Sequence, residues 1–269
     1  MHARFARNFG LLAAVLAVLY CPILFGQSAA QEVPAANPGR PTVATPATLT
    51  PVGYLQFETG GIYAAGSAEF SSQSAINLVT KLAVASRLQL LALTQPVAVS
   101  NDPNGRETQT GDVFGGLQAV VLPGEGAHPT VSLSYIGRMY EGPSPNTDIG
   151  TFRHCAMLLV SDDLAGFHFD LNGMVTEQTD DVRLRRAQFG QTISVSHSLG
   201  KFTLAGELWH FTQPLTQGNA VGNLWAISRA VRPNLVLDAG LDRGLTSSST
   251  QWEGFAGVTY LLPHRLWKR

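Results

Sequence analysis

From residue 53 onward the chain reads as a series of segments of about 10 residues in which apolar and polar positions alternate, the period of two that gives a β-strand two unlike faces. The run 166–176 is the clearest: Phe167, Phe169, Leu171 and Val175 oppose His168, Asp170 and Asn172. Similar runs fall at 53–64, 75–85, 88–99, 112–122, 130–140, 151–161, 187–197, 202–212, 220–230, 234–243 and 250–262. The pattern predicts about twelve strands. Their connections alternate between long polar stretches, such as NDPNGRETQTG at 101–111, and short turns at Ser86-Arg87, Asp162-Asp163, Leu199-Gly200 and Arg232-Pro233. An even-numbered up-and-down barrel with both ends on one side of a membrane predicts that alternation. A soluble sandwich gives no reason for it, and a soluble barrel would place its apolar residues inside.

The last run, TQWEGFAGVTYLL, sets Trp252, Ala256, Val258, Tyr260 and Leu262 on one face, with Glu253, Gly257 and Thr259 on the other. Gly257, Tyr260 and Leu262 fit a Gly-x-x-aromatic-x-apolar pattern, which resembles the C-terminal signal read by the assembly machinery of outer-membrane barrels. In hydrocarbon this edge needs a partner, and the first run, 53–64, is the candidate. PHRLWKR continues beyond Leu262, so Trp267 is either the terminal aromatic of the strand or part of a tail. Gly60-Gly61 suits a bend or bulge. The middle of 88–99 is apolar on both faces, which leaves its facing open.

Composition adds compartment and organisation. Residues are 45% hydrophobic and 14% charged, too apolar for a solvated tail. Arg4 and Arg7 lead an uncharged run over 9–25 that ends in Ser28-Ala29-Ala30, so 1–30 reads as a signal peptide cleaved before Gln31; an uncleaved anchor is the alternative. Tyr20 beside Cys21 argues against a lipidated cysteine. Residues 31–52, rich in Pro, Ala and Thr, read as a flexible periplasmic lead-in, 53–262 as the barrel and 263–269 as a C-terminal tail. Without Arg4 and Arg7 the 18 basic residues fall to 16 against 19 acidic, a net charge of −3, and no basic patch points to nucleic acid. No later apolar stretch approaches the about 20 residues of a transmembrane helix. Cys155, the other cysteine, leaves the mature chain without an internal disulfide and reads as a small apolar residue.

The inner faces carry Glu58, Lys81, Arg138, Asp170, Asn172, Glu207, Asp238 and Asp242, the candidate lumen-lining residues. Ordinary pairing inside a polar lumen explains them; the sharper reading is a charged constriction, with Asp238 and Asp242 on one face and Arg243 at the loop edge. About twelve strands enclose a lumen narrow enough to be blocked. Trp209, Phe211, Tyr140, Tyr54, Trp252 and Tyr260 near strand ends suit aromatic girdles, the alternative being packing inside or between loops. Ser196-His197-Ser198 invites a hydrolase reading, but neighbouring strand residues face opposite ways. His154, His168 and His210 come without a nucleophile elbow or a His-Glu-x-x-His motif. The chain therefore reads as a non-enzyme with no catalytic, metal or cofactor site.

Several stretches, TGDVFGGLQAVVL, SLGKFTLAGELW, NLVLDAGLDRGLT and SRLQLLAL, resemble the outer-membrane barrels described as transporters of the phenol meta-cleavage degradation pathway. The likeness is in strand-and-turn texture across most of 53–262, so it implies fold and location, and no residue role is taken from it. The expectation is an all-β transmembrane up-and-down antiparallel barrel in the outer membrane. It would pass or bind small solutes, hydrophobic or aromatic compounds included, with membrane lipid and the assembly machinery as its other partners. A rim-site lipid esterase and a non-transporting interaction barrel are the alternatives.

Overall fold

The computed structural model describes residues 34–103, 105–126, 128–145, 152–179, 185–214 and 218–267. The expected signal peptide and the first residues of the lead-in lie outside them. Strands follow one another as β1 (Leu55–Ala65), β2 (Ser72–Ala85), β3 (Leu88–Asp102), β4 (Gly105–Gln109), β5 (Val113–Leu122), β6 (Thr130–Tyr140), β7 (Phe152–Leu164), β8 (Phe167–Thr179), β9 (Arg185–Leu199), β10 (Phe202–Gln213), β11 (Gly218–Arg232), β12 (Leu235–Gly244) and β13 (Trp252–Leu261). Each is antiparallel to its neighbours. The short β4 folds back on the outer part of β3, from Ala98↔Gln109 to Asp102↔Gly105, while the body of β3 pairs with β5. The other twelve strands form a ring, closed by β1 and β13 in register from Gln56↔Leu261 to Ala65↔Trp252. Closure satisfies both edges, which is the condition for a sheet in hydrocarbon.

The alternation turns the ring inside out relative to a soluble protein. Leu117, Leu133, Leu158, Leu171, Ile193, Leu204 and Leu241 face outward and are more than 40% exposed, whereas Gln56, Gln89, Gln118, Ser132, Gln188 and Thr259 face inward and are buried. Water penalises an apolar exterior of this kind and lipid does not, so the fold is a transmembrane barrel. The described residues begin, at Pro34, and end, at Trp267, at the end that carries the short turns; most of the longer connections lie at the other. These are called the short-turn and long-loop ends.

Three expectations change in detail. Asp162 and Asp163 belong to β7, and the turn falls at Ala165-Gly166, whose φ values of 53° and 83° are those of a two-residue hairpin with positive φ at both positions. The polar stretch 101–111 contains β4 and is largely a projecting hairpin. In β3, Gln95 and Pro96 bulge opposite Asn77, so its inward positions switch from Gln89, Leu91 and Leu93 to Ala98 and Ser100, which resolves its facing.

Candidate functional site

The lumen holds a segment of the chain itself. Residues 34–51, whose composition reads as a flexible periplasmic lead-in, instead run as a loop inside the barrel, with Ala44 and Ala47 fully buried. The loop enters and leaves at the short-turn end: Ala36 N donates to Pro233 O and Gly53 N to Ala83 O. Having neither helix nor sheet partners, its backbone is satisfied by inward side chains of the barrel. Asn37 N donates to Gln56 Oε1 at 2.8 Å, Gly39 N to the Glu58 carboxylate at 3.0 Å, Thr45 N to Asn172 Oδ1 at 2.6 Å, Ala47 N to Ser161 Oγ at 2.7 Å and Thr50 N to Gln89 Oε1 at 2.8 Å. At the apex, Val43 N and Ala44 N share the two oxygens of Glu207, at 2.8 and 2.7 Å. Donors return the favour: Gln118 Nε2 reaches Pro46 O and Ala47 O, Ser132 Oγ reaches Ala47 O, and Asn172 Nδ2 reaches Thr45 O. Buried backbone groups need such partners, so the polar lumen wall is the loop's substitute for secondary structure.

Arg40 adds the one full charge that the loop brings. Its guanidinium meets Asp238 at 3.1 Å and lies 5.8 Å from the centre of the Phe255 ring. It fits there because β1 and β13 present Gly60 opposite Gly257 at that level; a Cβ on either would stand 2.6 Å from the guanidinium. Gly60 and Gly257 make a notch for Arg40, and β1 runs through Gly60-Gly61 in unbroken register where a bend or bulge is expected. Lys81 pairs with Glu58 beside Gly39, where a Cβ on Gly39 would stand 2.6 Å from Nζ.

Beyond the apex, toward the long-loop end, the lumen turns apolar. Ile136, Cys155, Met174, Trp209, Phe211 and Ala220 are buried together, with Leu93, Phe114, Phe152 and Met157 against them, and Val43 at the loop's tip packs into the same cluster. Phe114 stacks on Phe152 at 4.7 Å, and Trp209 tilts against Phe211 at 5.6 Å. Trp209 and Phe211 are 3% and 2% exposed, so they do not belong to a girdle facing lipid; they share an inward face with Ala205 and Glu207. Trp209 Nε1 donates to Asp242 Oδ2 at 2.8 Å. Above this layer lies a polar cap, where residues 141–145 fold over the rim. Gly142 N donates to Asp112 Oδ1 at 2.8 Å, Gln73 Nε2 to Pro145 O at 2.9 Å and Ser144 N to Thr110 O at 3.2 Å. Arg138 bridges Asp112 and Glu141. Burial pushes the Asp112 carboxyl above its ordinary value, against the opposing pull of the Gly142 N–H and Arg138.

The candidate residues thus fall into separate layers. Glu58, Lys81, Asn172, Glu207 and Asp238 surround the loop, Asp170 supports it by accepting from Ser161 Oγ, Asp242 anchors Trp209, and Arg138 belongs to the cap. Asp238 and Asp242 do not act together: one faces Arg40, the other an indole. Arg243 faces away, with its guanidinium 4.4 Å over Trp252. Gln56, Gln89, Gln118, Ser132 and Ser161 were absent from the candidate set because it favoured charge, yet uncharged amides and hydroxyls hold most of the loop. The histidines engage other groups than a nucleophile: His197 Nδ1 with Gly166 O, His210 with Gln191, His168 with Asp163 and Asp170, and His154 with Tyr135. The described part of the C-terminal tail folds back at the short-turn end. Leu266 N donates to Gly53 O and Arg265 Nε to Val52 O, so Trp267 lies outside β13.

The twelve-strand transmembrane barrel is a fold shared with solved outer-membrane proteins. The COG4313 outer membrane channel from Pseudomonas putida F1 superposes with a TM-score of 0.59 at 14% identity, over 84% of this chain and 99% of that one. The NanC porin gives 0.55 at 11% identity over 76% and 98%, and the KdgM porin 0.52 at 12% over 76% and 98%. At these identities the likeness is one of fold. No family model matches the chain, and no curated protein matches it in sequence.

Proposed function

We propose that the protein is an outer-membrane channel for small apolar solutes, aromatic ones included, whose lumen is held shut by the 34–51 loop. The observation that carries the reading is the apolar layer. A channel for hydrated solutes keeps a polar lumen along its length, whereas Phe114, Phe152, Met174, Trp209 and Phe211 offer an entering molecule dispersion and ring contacts and offer an ion nothing. In this reading the long loops face outward, an apolar solute leaves water at the cap for the aromatic layer, and passage requires the loop apex at Val43 to withdraw from Glu207. Glu58, Lys81, Asn172 and Asp238 then act as the catches of the loop. Export by the 1–30 segment and recognition of β13 by the assembly machinery belong to the same reading, as does the likeness in texture to transporters of phenol degradation.

The test uses refolded full-length mature chain in detergent and in planar bilayers. An uncharged aromatic probe such as naphthalene is expected to quench tryptophan fluorescence saturably, with Phe211→Ala weakening the binding by about tenfold if roughly 1.4 kcal/mol of ring contact is lost. Single-channel steps are expected to be small and rare. Sugar uptake in liposome swelling at the rate of an open porin, with no saturable naphthalene binding, would sink the proposal.

A further inference from the structure

The outer wall carries a feature that the solute path does not use. On four neighbouring strands the outward positions Tyr135 (β6), Ala156 (β7), Val175 (β8) and Ala187 (β9) floor a groove of about 450 Å³ near the long-loop end, and His154, Glu177, Arg185 and Arg186 also line it. The polar groups are tied together. Tyr135 Oη and His154 Nδ1 are 2.7 Å apart, His154 Nε2 stands 3.9 Å from Glu177, and Glu177 holds Arg185 by Nε at 3.1 Å. Arg185 is 65% exposed and His154 51%. Among the described residues the rim sets two arginines, Arg185 and Arg186, beside one carboxylate, Glu177.

We propose that this groove seats a phosphate-bearing lipid of the outer leaflet, its phosphate on Arg185 with Arg186 at the rim, and the first part of an acyl chain along Ala156, Val175 and Ala187. The height of the groove favours a headgroup. Along β8, Leu171 and Val175 face the hydrocarbon band and Glu177 is the next outward position but one from Gly173, close to where the strand leaves the barrel wall. Charged side chains on the lipid face are costly at mid-bilayer and nearly free at the interface, so a cluster kept here fits the headgroup level. Arginine's fork matches phosphate oxygens in pairs. The apolar floor beside the arginines matches an anionic amphiphile better than a free anion, which would have no use for the floor. The inference takes from the proposed function only its orientation, with long loops outward, and is indifferent to what passes through the lumen.

Native mass spectrometry of the full mature chain in detergent, titrated with purified bis-phosphorylated lipid A, tests it. One lipid is expected to stay bound, and retention is expected to fall at least about tenfold for Arg185→Gln/Arg186→Gln, the loss of one to two charge-assisted contacts. Dephosphorylated lipid A is expected to behave like the double variant. Heat-modifiable migration on detergent gels confirms that each variant is folded. Equal retention of the two lipids by the parent chain, equal retention by parent and double variant, displacement by millimolar inorganic phosphate alone, or a second copy of the chain cross-linked across Tyr135 would each overturn the proposal. Failure here leaves naphthalene binding untouched, so the two readings fail separately.

Discussion

The two halves of the lumen are lined by the same kind of strand and solve opposite problems. Toward the short turns, Gln56, Glu58, Gln89, Gln118, Asn172 and Glu207 receive a stretch of bare backbone; toward the long loops, Trp209, Phe211, Met174 and Phe114 pack on one another with Val43 as the only contribution of that backbone. The polar half is held by hydrogen bonds that water can replace one at a time. The apolar half is held by exclusion of water, which offers no such exchange. In the proposed channel, a loop that is tipped by Val43 and otherwise pinned by amides would leave the first half stepwise and the second only when something apolar takes its place.

That contrast can be broken most severely at Glu207. Glu207→Leu leaves the buried N–H groups of Val43 and Ala44 without acceptors, a cost of about 1–3 kcal/mol each, so the closed state is expected to weaken by at least tenfold. Planar-bilayer recordings should show frequent open steps where the parent shows few; unchanged recordings would mean that the apolar layer alone closes the lumen. Next comes the charge pair. Arg40→Met or Asp238→Asn alone leaves an unpartnered buried charge and is expected to loosen the loop by about 3–5 kcal/mol, with the double variant recovering much of it. Protection of the 36–50 amides in hydrogen exchange measures both singles and the double. If the two effects simply add, the pair contributes no coupling. The smallest effect sharpens the third region, the cap. Because the folded state raises the Asp112 carboxyl above 3.8, it favours the protonated form. Cap stability is then highest below the ordinary value and declines as pH rises through the raised one. Asp112→Asn should flatten that decline, read from exchange of the Gly142 amide as pH is raised from the ordinary carboxyl value.

The barrel was legible because strand parity is local: Leu171 against Asn172, or Trp252 against Glu253, reveals its face without knowledge of any partner. The pairing of 53–64 with 250–262 followed from the same logic, since a closed sheet needs its ends joined. The loop was not legible, because nothing in PAANPGRPTVATPATLTP is apolar or periodic enough to ask for burial. Its burial rests on backbone groups, which every sequence has. The available signal was on the other side, in an excess of buried-type amides at Gln56, Gln89 and Gln118 with no strand chemistry to explain them. Trp209 and Phe211 were misplaced by position, near a strand end, although their parity with Glu207 already put them inside.

The glycine notch has a consequence for how the barrel is built. Gly60 comes from the first strand and Gly257 from the last, so the seat of Arg40 exists only after the two have met in the right register. A slip of two residues would set Phe255 or Thr259 across from Gly60, on the same inward face, and the guanidinium would lose its place beside Asp238. The segment inside the barrel is thereby matched to a single stagger of the closing seam, and with it to a single diameter of the cylinder around it.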